Sequence, residues 1–194
     1  VRIPKGGRTY TYIRPNKNTP TMFRTPARRS MLADQHRRPQ KQARRDQRLH
    51  YTYGPRIRGD GAYARAVSRF ISQALAGDDI TVFGEGKQTR SSCYITDTIT
   101  GILKVAADSR TSGEVFNIGN AQEITIMDLA RKAKELTGST SRIVHKPLPP
   151  DDRQRRCPDI SKAKKLLGWT PTVTLDEGLR KTVDCFRQGM EAAK

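Results

Sequence analysis

"VSRFISQALAGDDITVFGEGKQTR", residues 67–90, changes its hydrophobic period part-way along. Val67, Phe70, Ile71, Ala74 and Leu75, with Ala64 just upstream, recur at helical spacing, and Gly77 supplies a stop. "DITVFGEG" follows at once, a short apolar run that ends in a Gly84-Glu85-Gly86 turn. That is the pattern of a buried strand. A helix handing over to a strand within so few residues points to an α/β chain.

The rest of the C-terminal three-quarters repeats the alternation. "TDTITGILKVAAD" reads as a helix capped by Thr96, with Ile99, Ile102, Leu103 and Ala106 on one face; "GEVFNIGN" reads as another buried strand between glycines. "TIMDLARKAKELTG" opens with Thr125 three residues before Asp128, resembling a capping box, and closes at Gly138. "SRIVHKPLP" reads as a strand, and "DISKAKKLLGW" as a short helix ended by Gly168. "TLDEGLRKTVDCFRQGM" carries a second capping pair, Thr174 and Glu177, with Leu175, Leu179, Val183, Phe186 and Met190 along one side. Strands and helices in turn place the chain in the α/β class, with no internal repeat.

Charge divides the chain. The 194 residues carry a formal +18, and residues 1–50 hold 14 Lys/Arg against 2 Asp/Glu, a net +12. That segment is rich in Arg, Gln, Thr and Pro and lacks sustained periodicity, so it reads as a basic leader, separate from a folded unit over 51–190. Cys93, Cys157 and Cys185 are odd in number and share no CxxC spacing, which favours free thiols in a reducing compartment. The three histidines have no partners at ligand spacing, so no metal site is expected. No apolar run approaches the ~20 residues a bilayer span needs, and no apolar core marks a secretory signal. A cytoplasmic chain without membrane contact is the expectation.

Two segments can carry chemistry. In "TVFGEGKQTR", a tight glycine turn sets Gln88 and Arg90 beside a strand end. A guanidinium fixed there forks two donors toward phosphate oxygens, although one arginine after a glycine turn is more often a solvated surface residue. The Gly-x-Gly lacks the third glycine and the following helix of a dinucleotide loop. "PLPPDDRQRRCPDISKAKKLLGWTP", residues 147–171, sets two aspartates before an arginine cluster and then an Asp-initiated helix. Arg153, Arg155 and Arg156 are equally readable as surface charge.

Taken in order, "YGPR", "VSRFISQALAGDDITVFGEGKQTRSSCYITD", "VFNIGN", "TIMDLARKAKELTG" and "PLPPDDRQRRCPDISKAKKLLGWTPTVTLDEGL" closely resemble the C-terminal part of the UDP-glucuronate decarboxylase (UDP-xylose synthase) family. These are NAD-dependent extended short-chain dehydrogenases/reductases of the epimerase/dehydratase superfamily. The resemblance runs from Tyr51 to Arg187, and the "DDRQRRCPDISKAKKLLGW" block favours this family over the dTDP-glucose dehydratases and UDP-hexose epimerases. It implies the substrate-binding portion of a Rossmann-type fold, with the N-terminal nucleotide-binding half missing here. It also implies UDP-sugar as substrate, NAD as cofactor and a homodimer formed through helices outside these residues. Carried over residue by residue, Arg90 and Arg156 would clamp the diphosphate, and Thr81, Val82 and Phe83 would flank the uracil. Thr52 and Arg65 would face the cofactor.

Departures accompany the resemblance. Family members carry Phe-Asn where this chain has His50-Tyr51, and another Asn where it has Arg69. The family's base is a Tyr-x-x-x-Lys pair, in which the lysine lowers the tyrosine pKa; no tyrosine in this sequence has a lysine four residues on. No catalytic residue is therefore assigned, and the chain is expected to be inactive alone. In the place of the catalytic helix stands "MLADQHRRPQKQARRDQRLH", which suggests that residues 1–50 are disordered or read out of frame. "VFNIGN" is then expected to lack its parallel partner strand. The alternatives are a UDP-sugar-binding remnant without catalysis, or a protein whose basic tail binds polyanions. Nucleic acid is the less expected partner, because the arm has few aromatics and no known module.

Overall fold

A computed structural model describes residues 11–13, 45–57, 66–150 and 152–191. The helices come largely where periodicity and caps put them: α1 (Ala66–Ala76), α2 (Ile95–Ala107), α3 (Ile126–Thr137), α4 (Ser161–Leu167) and α5 (Leu175–Glu191). Thr125 caps α3, its hydroxyl accepting the Asp128 amide at 3.0 Å, and Gly138 closes the helix in the left-handed region at φ 66°. Thr174 Oγ1 accepts the Glu177 amide at 3.3 Å at the head of α5.

The strands are short. In chain order they are β1 (Thr11–Ile13), β2 (Arg45–Leu49), β3 (Thr52–Tyr53), β4 (Ile80–Phe83), β5 (Thr89–Ser91), β6 (Cys93–Tyr94), β7 (Val115–Ile118), β8 (Glu123–Thr125), β9 (Ile143–Lys146) and β10 (Arg155–Arg156). They assort into four small sheets: β1-β2-β7, β10-β5-β8, β3-β6 and β4-β9. Every pairing is parallel except β5 with β8. Parallel pairing demands crossovers, and helices supply them.

Two apolar clusters hold these pieces. In one, Phe70 and Ile71 of α1, Val82 of β4, Leu129 and Ala133 of α3, and Leu179 and Val183 of α5 bury against each other. In the other, Phe116 and Ile118 of β7 meet Val105 of α2, Ala163 of α4 and Trp169. Asp97 links α2 to the chain before α5. Its buried carboxylate accepts Thr172 Oγ1 and the Val173 amide, each at 2.9 Å, while its carbonyl accepts the Trp169 indole N–H at 3.1 Å.

Three expectations are corrected here. Residues 45–49 are not part of a structureless leader: β2 lies between β1 and β7, with Asp46↔Val115 through Leu49↔Ile118 in register. "VFNIGN" therefore has a parallel partner, and the folded unit begins ahead of Tyr51. The sequence hid this strand because its fully buried residue is a polar one, Gln47. Second, Thr96 does not cap α2. Strand β6 runs directly into the helix with Tyr94 at the cap position and no side-chain cap. Third, α2 turns Asp97, Thr98, Gly101 and Val105 inward, leaving Ile99 and Leu103 exposed. Gly101 explains the choice of face, since a Cβ there would lie 2.8 Å from Ile118 and 2.9 Å from Trp169. The close approach needs the bare backbone. The remainder of residues 1–44 lies outside the described residues, apart from the β1 backbone. Among the described residues no helix is long and apolar enough to cross a membrane. All three cysteines stand unpaired.

Candidate functional site

The site is built where β4 ends. Gly84 and Gly86 take positive φ of 64° and 74°, and Gln88 Nε2 closes the turn on Phe83 O at 2.9 Å. The turn is held against α3 by amides of Met127 and Ile126, which donate to Gly86 O and Gln88 O at 3.0 Å each. The chain then enters β5, and here the register decides the chemistry. Strand β10 pairs with β5 so that Arg156 lies opposite Arg90 and Arg155 opposite Thr89. Two arginines 66 positions apart in the sequence become neighbours on one sheet face.

Alternation separates the cluster by role. Arg155 points to the other face, where Glu123 of β8 takes its guanidinium at 2.6–3.0 Å and Thr89 Oγ1 adds a bond of 2.6 Å. These partners, Arg155 first, hold the Glu123 carboxyl down at about 2. Arg90 is buried; its Nη1 donates to Thr89 O at 2.7 Å, and its Nη2 donates to Asp152 Oδ1. Arg156 Nη2 lies 3.5 Å from the same Oδ1, and its Nη1 donates to the Tyr51 hydroxyl at 2.6 Å.

A cavity of about 160 Å³ opens beside this network. Arg90, Asp152, Tyr51 and Gln88 line its polar side, with Phe83, Ile126 and Leu129 on its apolar side. Arg69 also lines it, its guanidinium 4.8 Å above the Phe83 ring centroid. Burial lowers the Arg69 pKa from its ordinary value. The Nε atoms of Arg69 and Arg156 are buried without an acceptor among the described residues. Positive charge under-supplied with acceptors suits an anion.

Of the residues singled out from sequence, Thr52, Phe83 and Arg90 line the cavity, and Arg156 joins through Asp152 and Tyr51. Thr81 and Val82 do not line it. Val82 is core, and Thr81 is engaged with the Gln73 side chain, its hydroxyl accepting from Nε2 and its amide donating to Oε1. Arg65 lies outside the described residues. Sequence reasoning gave no role to Asp152, which stood in the quoted acidic pair; a carboxylate beside an arginine cluster was the available signal. Tyr51 has a positive φ of 36°. Such a backbone suits asparagine, the residue the resemblance places there, better than tyrosine.

Residues 29–182 match the family model described as GDP-mannose 4,6 dehydratase. The chain belongs to the GDP-mannose 4,6 dehydratase family. A UDP-glucuronic acid decarboxylase 1 from Xenopus tropicalis is 47% identical over 145 residues, covering 74% of this chain and 33% of that protein. Among solved structures, a UDP-glucose 4-epimerase from Thermotoga maritima with UDP-glucose superposes with a TM-score of 0.72 at 35% identity, covering 76% of this chain and 47% of its own. A UDP-glucuronic acid 4-epimerase from Bacillus cereus, in complex with UDP-glucuronic acid and NAD, gives 0.69 at 33% identity, covering 75% and 46%. This member of the dehydratase family thus spans about a third of the decarboxylase and just under half of the epimerases. Over that span it has the Rossmann-type extended short-chain dehydrogenase/reductase fold expected from its sequence.

The fit to NAD can be tested on the residues present. Thr52 lines the cavity with its hydroxyl 3.1 Å from Thr98 Oγ1, a small polar group able to face a cofactor ring. No Gly-rich turn leading into a helix and no Tyr-x-x-x-Lys pair occurs in the sequence to cradle the pyrophosphate or take a proton. These residues alone do not make an NAD site.

Proposed function

We propose that this chain supplies the substrate-side portion of a UDP-glucuronate decarboxylase, and that its cavity receives the UDP moiety. The reading rests on one observation, the register that sets Arg156 opposite Arg90 at the edge of a cavity walled by Phe83. A diphosphate buried from water needs fixed donors of opposite charge, and two guanidinium groups supply them bidentately. Phe83 offers an aromatic wall where the base would lie. Relatives and structural neighbours whose names carry UDP-sugars support the same ligand class. In the full reaction NAD would supply oxidation and re-reduction of the sugar carbon. The residues here would bind and orient the substrate, while the proton-transfer pair and the cofactor's phosphate cradle would come from elsewhere in the protein.

Calorimetric titration of the 194-residue chain with UDP-glucuronate, UDP and GDP tests the ligand. The reading expects the two uridine ligands to bind and GDP to bind at least tenfold more weakly, roughly the discrimination one mismatched pocket gives. Equal affinity for all three would sink the base assignment. The absence of a Tyr-x-x-x-Lys pair also supports a second reading, a UDP-sugar-binding protein without chemistry. Joining residues 45–191 to the nucleotide-binding half of the Xenopus tropicalis relative separates the two. Carbon dioxide release from UDP-glucuronate by the chimera favours the decarboxylase. A folded, NAD-binding chimera that releases none favours the binding protein.

A further inference from the structure

The diphosphate reading leaves one group unexplained. The cavity that should receive an anion already contains one: among the described residues, Asp152 is the only acidic one that lines it. Its Oδ1 takes a donor from Arg90 and lies 3.5 Å from Arg156 Nη2. A single carboxylate oxygen thus sits between the two guanidinium groups, where a bridging phosphate oxygen would sit. The aspartate is not locked in place. Its side chain keeps 23% of its surface exposed, against 8% for Arg90. It is carried by the turn after Pro149, whose carbonyl accepts the Asp152 amide at 3.2 Å. Arg90 is held more firmly, buried and anchored to Thr89 O, and Arg156, as exposed as the aspartate at 23%, has a second bond to Tyr51, so each arginine keeps an anchor when the carboxylate leaves.

We propose that Asp152 is an autoinhibitory counter-ion: it fills the arginine clamp in the free protein, and a diphosphate binds only by displacing it. Resting on the UDP reading above, this assigns regulation to the same site. The physical basis is the cost of a buried arginine with no partner. Asp152 removes that cost when no ligand is present, and phosphate removes it on binding, so the guanidinium groups exchange one anion for another. Because only the fraction of molecules with Asp152 swung out can bind, the apparent dissociation constant is the intrinsic one divided by that fraction. The factor belongs to the protein and not to the ligand. It should therefore be the same for any ligand that uses the clamp.

The test titrates the full chain and its Asp152→Asn and Asp152→Glu variants with inorganic pyrophosphate and with UDP, with thermal unfolding as a check on folding. Expected is a tightening on the order of tenfold in Asp152→Asn, the size of one charge-assisted hydrogen bond. The factor should be equal for pyrophosphate and UDP, and Asp152→Glu, which keeps the charge, should stay near the parent. Weaker binding by Asp152→Asn would mean that the aspartate positions the arginines, and would overturn the proposal. Unchanged affinity, unequal factors for the two ligands, or no pyrophosphate binding by any form would overturn it too. If pyrophosphate follows the expected pattern but UDP binds no more tightly than pyrophosphate, the counter-ion stands and the nucleotide reading falls.

Discussion

Replacing Arg90 by alanine puts the clamp under the most direct strain. The side chain is 8% exposed and donates through Nη1 to Thr89 O and through Nη2 to Asp152. Removing it does not orphan Asp152, which keeps Arg156 within 3.5 Å, so folding should suffer little. Ligand binding should suffer much. A hydrogen bond to a charged group contributes about 1.5–3 kcal/mol, and part of that is already spent on Asp152 in the free protein. A net loss of about 1–2 kcal/mol follows, which is roughly 5- to 30-fold in UDP affinity. Arg90→Lys keeps the charge but loses the fork, since an ammonium cannot hold Thr89 O and a phosphate in the same geometry; a smaller loss than in Arg90→Ala is expected. Arg155→Ala is the control. Its side chain is 73% exposed and engaged with Glu123, and exposed ion pairs contribute little, so less than about twofold is expected. Isothermal titration with UDP, alongside circular dichroism, reads all three. A folded Arg90→Ala chain that binds UDP within threefold of the parent would refute the assignment of this cavity to a diphosphate.

Gln47→Glu tests whether β2 belongs to the folded unit: a fully buried carboxylate should cost up to about 4 kcal/mol at pH 7, read by urea unfolding, whereas Arg48→Glu on the exposed side of the strand should stay within about 0.5 kcal/mol. Equal, small effects would place β2 outside the cooperative fold. Gly101→Ala should destabilise by about 1–2 kcal/mol, because crowding of Ile118 and Trp169 at 2.8–2.9 Å outweighs the roughly 1 kcal/mol that alanine gains in a helix; a rise in melting temperature would show that α2 does not pack on that face. His50 gives a pH dependence. Burial, the largest influence, lowers its pKa below 6.5 despite a bond to Asn117. Between the lowered value and 6.5 the unfolded chain binds more protons, so stability is full above about 6.5 and declines as pH falls through the folded value. Melting temperatures at pH 7, 6 and 5 should fall in that order, and His50→Gln should flatten the decline; an identical profile in the variant would exclude His50 as its source.

What could be read from the sequence and what could not divides along physical lines. Helices α1, α3 and α5 were legible because each repeats an apolar stripe over two or more turns, and these three and the short α4 carry punctuation, Gly77, Thr125, Gly138, Thr174 or Gly168. Strand β4 was legible as a run of apolar residues between breakers. Strands β5, β6, β8 and β10, two or three residues long, contain no full period, and only their partners make them strands. Strand β2 reads "RDQRL"; it follows a polar segment with nothing to mark it, because the position facing the core is Gln47. In α2 the apolar residues stood on the wrong side for the prediction. Its packing face joins Asp97, Thr98 and Gly101 to a single apolar residue, Val105, so closeness and hydrogen bonding set it more than an apolar stripe does. For the site, Arg90 and Arg156 were each readable as candidates, but the contact between Arg90 and Asp152 spans 62 positions, and nothing local encodes it.

That contact depends on a strand of two residues, and the dependence is strict. Successive residues of a strand face opposite sides, so a one-residue slip of β10 along β5 would exchange Arg155 and Arg156. Arg155 would enter the cavity, Glu123 would lose its partner, and Tyr51 would face the wrong side chain. Three bonds hold the register: the Thr89 amide to Gln154 O at 2.8 Å, Thr89 Oγ1 to Glu123 at 2.6 Å, and Arg155 to the same carboxylate. Two of them lie on the face away from the cavity, where no ligand competes for them. The exposed Arg155–Glu123 pair thus does little for affinity directly, yet it fixes which arginine turns inward. The sheet β10-β5-β8 is too small to add much to folding, and its chief effect is to bring two distant guanidinium groups and one displaceable carboxylate to the edge of a single cavity.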